Sequence, residues 1–142
     1  MNINEMYTKT GVEIYEQIVV DSTKPESLKK YKGSSVEKMN ETLQTLFLVN
    51  DELWNHIDYL EKSKVNGPEE IKELKQLIDD ITNYNGKVIP KSEEEKKLTI
   101  GKINDKITII NNHLANVDSK ISELTDVKLH LEIEFELERL SV

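Results

Sequence analysis

Apolar residues recur along most of this chain at alternating steps of three and four. The series Val36, Met39, Leu43, Leu46, Asn50, Leu53, Ile57 and Leu60 follows the a and d positions of a heptad, with Asn50 as its polar member. Ser34 stands three residues before Glu37, the spacing of a capping box, so the pattern predicts a helix over about 34–64. Phe47, Val49 and Trp54 widen the stripe beyond a two-stranded seam, which predicts neighbours on two sides, as in a bundle. A break is expected from Ser63 to Gly67. Pro68, followed by Glu69 and Glu70, suits the first turn of a second helix over about 68–83, whose apolar face is Ile71, Leu74, Ile78 and Ile81. Ser92 and Glu95 repeat the capping-box spacing. Beyond them Ile100, Ile103, Ile107, Ile110, Leu114, Val117, Ile121 and Leu124 keep the a/d rhythm without a miss, giving a third helix over about 92–125.

After Asp126 the period changes. Val127, Leu129, Leu131, Ile133, Phe135 and Leu137 alternate with Lys128, His130, Glu132, Glu134, Glu136 and Glu138. Period two reads as a β-strand with one apolar and one acidic face. The competing reading extends the helix, because Leu and Glu favour helix and because Leu131 and Phe135 stay in the preceding heptad register. A strand here needs an edge to join, from Val12 to Val20, from the run at Val88, or from another chain. The segment 1–33 is mixed: Met6, Tyr7, Ile14, Tyr15, Ile18 and Val19 fit a helix interrupted by Gly11 or a strand from Val12. Lys24-Pro25-Glu26 to Gly33 fits one or two helical turns with a glycine stop. The expected fold is mainly α, an elongated antiparallel helical bundle or coiled coil over 34–126, with a C-terminal β-strand or helix extension over 127–142.

Three helices running up, down and up, with a middle helix about half as long as the others, leave part of the seam uncovered. The uncovered part, from Ile110 through Leu114, Val117, Ile121 and Leu124, is the expected partner interface, continued by Leu131 and Phe135 and joined by Phe47 and Trp54. The d residues Ile103, Ile110 and Val117 are β-branched, which favours a homo-oligomer of three or more chains over a parallel dimer.

Composition narrows the function. Of 142 residues, 37% are hydrophobic and 32% charged, which suits helices with one apolar stripe and a wide wetted surface. The net charge of −8 carries no Lys/Arg stripe, so nucleic acid is not an expected partner. The absence of cysteine removes disulfides and thiolate chemistry and fits a reducing compartment. Neither a basic, apolar leader nor a membrane-length apolar run is present. A cytoplasmic location is expected, or a virion-associated one for a viral source.

Individual residues add little chemistry. Trp54, Phe47 and Tyr59 suit an aromatic recognition patch, but their helical spacing suits core packing better. His56 has Glu52 and Asp58 nearby, yet the Glu-x-x-His spacing of di-iron bundles is missing. His113 and His130 lack a nucleophile in a catalytic context. Glu93, Glu94 and Glu95 suit the positive end of a helix, and Glu132 to Glu138 a solvated acidic face. Asn40-Glu41-Thr42 matches a glycosylation sequon without a secretory signal. No catalytic, metal or cofactor site is expected. The expected function is non-enzymatic: an oligomeric coiled-coil assembly or adaptor subunit, viral or phage structural or part of a multiprotein complex. Its rivals are an acidic regulator that occupies a basic site on a target, and a small helical-bundle enzyme.

Overall fold

The computed structural model describes residues 3–141; it is mainly helical, with no strand among those residues. Two short helices, α1 (Ile3–Thr8) and α2 (Gly11–Ser22), lead through 3-10 turns at Pro25–Tyr31 and Ser35–Lys38 into two long ones. These are α3 (Glu41–Thr82) and α4 (Glu93–Ser141), which pack against each other. Two compact units result: Met1–Glu61 with Asp118–Val142, and Lys62–Val117.

The expected break at Ser63–Gly67 is absent. α3 runs straight through Gly67 and Pro68, so the helices expected at 34–64 and 68–83 are one. Pro68 removes a backbone donor at a cost of about 3 kcal/mol in a helix interior. It sits on the exposed face of the helix. Gly67 is buried, and a Cβ there would lie 3.0 Å from the Leu114 side chain, so the glycine permits close approach of the two helices. Packing on both flanks of the dipeptide overrides its local preference for a turn.

Ser34 caps only a 3-10 turn: its Oγ accepts from Val36 N, and Glu37 accepts from Gly33 N at 2.6 Å. The α-helix begins later, where Asn40 Oδ1 accepts from Leu43 N at 2.8 Å. The sequon asparagine is thus a helix cap. Ser92 behaves as its spacing predicts, with Oγ accepting from Glu95 N at 3.1 Å, while the Glu95 carboxylate accepts from Lys91 N.

The unit Lys62–Val117 is an antiparallel helical hairpin. Its core is Ile81, Ile107, Ile110 and Val117, together with one buried polar pair, the Ser63 hydroxyl and His113 Nε2, 2.8 Å apart. Lys106 pairs with Glu70 on the surface at 3.0 Å. At the turn Tyr84 adopts a left-handed conformation (φ 53°), strained for a residue with a Cβ. Its hydroxyl donates to Glu93 at 2.7 Å, and the Lys96 ammonium stands 4.7 Å over its ring. These contacts offset the strain.

The other unit has a third layer. α1 and α2 lie on α4, burying Met6, Tyr7, Ile14 and Ile18. Two α4 residues close the junction between them. The buried Lys120 ammonium donates to the carbonyls of Met6 and Tyr7, at 3.2 and 2.9 Å, and Glu123 accepts from Val12 N at 3.1 Å. A cation thus meets the C-terminal carbonyls of α1 and an anion the N-terminal amides of α2, the signs both helix ends favour. Gly11 makes this possible, since a Cβ there would lie 2.8 Å from Glu123 Cβ and 3.1 Å from the Lys120 carbonyl oxygen. Thr10 and Glu13 complete a capping box for α2. Gly11 therefore opens α2 rather than interrupting one helix, and Gly33 (φ 83°) is the glycine stop the sequence suggests.

The C-terminal strand expected over 127–138 is a correction: the segment is the last part of α4. Its alternation is resolved by the period of a helix. Leu131 is buried and Val127 and Phe135 half-buried toward the unit's interior, while Leu129, Ile133 and Leu137 fall on the opposite side. Helix propensity and the continuing register outweigh the alternation because the buried set is already supplied at spacing four.

Candidate functional site

The residues expected to form an uncovered seam are mostly covered. In the hairpin unit Ile110 and Val117 are buried and Leu114 is half-buried against Gly67. In the other unit Leu124 and Leu131 are buried and Ile121 and Phe135 half-buried. There is no half-length middle helix to leave them exposed, because α3 continues to Thr82. The seam is also rotated from the a/d stripe. Among the most buried α4 residues are His113 and Lys120, each next to an a position that is only half-buried. A polar residue at such a position gave no signal of burial; its partners, Ser63 and the α1 carbonyls, come from distant parts of the chain.

Phe47 is half-buried, its ring 5.4 Å from Tyr31 edge-on and 6.3 Å from Phe135. Trp54 lies outside the core, contrary to the packing role its spacing suggests. It is 60% exposed, with the Lys128 ammonium 4.9 Å over its ring. His56 is fixed by its own helix, Nδ1 lying 2.6 Å from the Glu52 carbonyl oxygen. His130 is exposed.

What the structure leaves open to water is the outer face of the last turns of α4. Leu129, Ile133, Leu137 and Leu140 are 54, 60, 61 and 71% exposed. Spaced by four, four and three, they form one continuous apolar ridge. Leu129, Ile133 and Leu137 line a shallow hollow of about 340 Å³ with Glu132 and Glu136. Such a row of large aliphatic side chains is what protein-binding surfaces present and what isolated soluble helices avoid.

The rim of the ridge is charged. Over 126–141 there are five acidic residues (Asp126, Glu132, Glu134, Glu136, Glu138) against two basic ones, Lys128 and Arg139. Lys128 is paired with Glu132, and Arg139 with Glu136 at 2.7 Å. The Glu136 hydrogen bond pushes the Arg139 pKa up, keeping its guanidinium charged. Both pairs run along the helix, so they stiffen the surface that carries the ridge. The expected strand put all six apolar residues of 127–137 on one face, whereas the helix divides them between two. Counting them at 100° per residue gives Leu129, Ile133 and Leu137 as a stripe separate from Leu131 and Phe135.

The chain matches no known protein family, no curated protein and no solved structure. Among the described residues, no helix is long and apolar enough to cross a membrane.

Proposed function

We propose that this protein is a non-enzymatic helical interaction protein, an adaptor that receives an amphipathic helix of another protein on the outer face of α4. The observation that carries this reading is the exposed ridge Leu129, Ile133, Leu137 and Leu140 beside a helix face already used for internal packing. Helix-in-groove recognition uses anchors at this spacing. The acidic rim sets the chemistry of the occupant: an apolar stripe flanked by Lys and Arg. A second copy of this chain fits less well, because pairing two ridges in either direction brings Glu132, Glu134 and Glu136 against like charges. The reading joins the adaptor and the acidic regulator in one surface. The burial of both Ser63 and His113 supports a packing role for that pair over chemistry.

Two synthetic helical peptides with the same leucine stripe, one flanked by lysine and arginine and one by glutamate, test this by calorimetry. The basic-flanked peptide binds the full chain, more weakly as salt rises, and the Ile133→Asp, Leu137→Asp double variant loses it while melting normally. Equal binding of both peptides overturns the assignment of the occupant. A stable dimer, trimer or larger assembly of the chain alone, dissolved by the same double variant, gives the ridge to a second copy instead.

A further inference from the structure

The chain holds two asparagine–glycine pairs, Asn66-Gly67 and Asn85-Gly86, and folds them differently. In such a pair the backbone nitrogen of the glycine can reach the asparagine side-chain carbonyl carbon through a five-membered ring. Glycine, lacking a Cβ, leaves that nitrogen open to approach. Whether the ring closes depends on the backbone around the pair.

Both pairs belong to the unit Lys62–Val117. Asn66-Gly67 lies inside α3, with Gly67 buried against Leu114. A helix fixes ψ and holds each amide against the carbonyl one turn back, so the Gly67 nitrogen is not available to its neighbour's side chain. Asn85-Gly86 lies in the turn between α3 and α4, outside any helix, and Asn85 is exposed. The Asn85 backbone N–H donates to the Asp80 carbonyl at 2.8 Å, directly after the left-handed Tyr84. Among the described residues, neither the Gly86 amide nor the Asn85 side chain has a hydrogen-bond partner. The turn also keeps its glycine for packing, since a Cβ at Gly86 would lie 3.0 Å from Asp80 Cβ.

We propose that Asn85 is a site of spontaneous isoaspartate formation, and that α3 protects Asn66 from the same reaction. The Gly86 nitrogen gives up its proton to solvent base and attacks Asn85 Cγ. As the new N–Cγ bond closes a succinimide, the Cγ–Nδ2 bond breaks and the side-chain nitrogen leaves as ammonia with a proton from water. Water then opens the ring. Attack at Cγ gives aspartate; attack at the Asn85 backbone carbonyl gives isoaspartate, whose main chain runs through the side chain and is one carbon longer. Nothing is oxidised or reduced. Either product deepens the net charge of −8 by one and places the new carboxylate in the turn that joins α3 to α4.

Ageing the full chain in warm, mildly alkaline buffer, followed by tryptic mass spectrometry, tests the site. Trypsin separates the two pairs into peptides 65–72 and 76–87, and synthetic aspartyl and isoaspartyl versions of each serve as standards. In the folded chain Asn85 should convert at least about tenfold faster than Asn66, because α3 must open before Asn66 can react. Both products should appear at Asn85. In guanidinium chloride the two pairs should convert at similar rates. The Asn85→Gln variant, which needs a six-membered ring, should keep its amide over the same period. The proposal is overturned if Asn66 keeps pace with Asn85 in the folded chain, if the difference persists after unfolding, if aspartate forms without isoaspartate, or if the Asn85→Gln variant loses its amide as fast.

Discussion

The hairpin Lys62–Val117 and the unit formed by Met1–Glu61 with Asp118–Val142 use the same two helices under different conditions. The hairpin has two layers, so each helix buries one narrow stripe, and its buried polar content is the Ser63–His113 pair. The other unit adds α1 and α2 as a third layer. There α4 buries a wider arc, and Lys120 and Glu123 are drawn in to satisfy helix ends that the extra layer brings with it. A third layer brings more apolar burial, and it also brings unpaired backbone groups that side chains must meet.

The sharpest way to break this comparison is to cut equal volumes from both cores. Leu53→Ala, at a fully buried α3 position in the three-layer unit, should cost about 3–4 kcal/mol, because surrounding layers hold the cavity open. Ile110→Ala, equally buried in the hairpin, should cost about 2–3 kcal/mol, because two helices relax toward each other more easily. Urea unfolding followed by circular dichroism measures both, and equal losses would remove the distinction.

Lys120→Met keeps the volume and removes the donor to two carbonyls. It should cost about 1–2 kcal/mol and strip amide-exchange protection from α1 while sparing the hairpin. The loss also depends on pH. Burial pushes the Lys120 pKa below its ordinary value, against a weaker pull from Glu13. Between the folded and unfolded values the unfolded chain holds more protons, so the lysine's contribution to stability rises as pH rises toward about 10.4. The stability gap between wild type and variant should therefore widen over that range.

Pro68→Ala should stabilise the hairpin unit by about 1–2 kcal/mol. A restored helical hydrogen bond is set against the looser unfolded chain, and the gain reads as a higher urea midpoint. Glu13→Gln has the smallest effect. Hydrogen bonds to the Thr10 backbone and hydroxyl lower the Glu13 pKa, so its contribution is present above about pH 4.5 and lost as pH falls through the folded value. The variant should show a flatter acid limb in a stability–pH profile between pH 3 and 6.

The helical class and the apolar registers of α3 and α4 were legible because they rest on spacing alone. Ile81, Ile107, Ile110, Val117 and Leu124 are buried where periodicity places them. Features set by contacts between distant segments were not. Gly67-Pro68 reads as a turn until both flanks are seen packed along one helix. Lys120 reads as a surface charge until α1 places two carbonyls beside it, and the ridge at Leu129 to Leu140 was masked by an alternation that serves helix and strand alike.

The segment from Val127 to Leu137 meets the period of a cross-β stack and the period of a helix with the same residues. Leu131 and Phe135, tucked against the unit's interior, keep it coiled. Where the end of α4 unwinds, six apolar side chains line up on one face of an extended ribbon, and the glutamates on the other face act as gatekeepers only while ionised. Acid conditions that both loosen the helix and neutralise those carboxylates are therefore expected to let the same stretch stack as fibrils, read as a rise in thioflavin fluorescence below about pH 4.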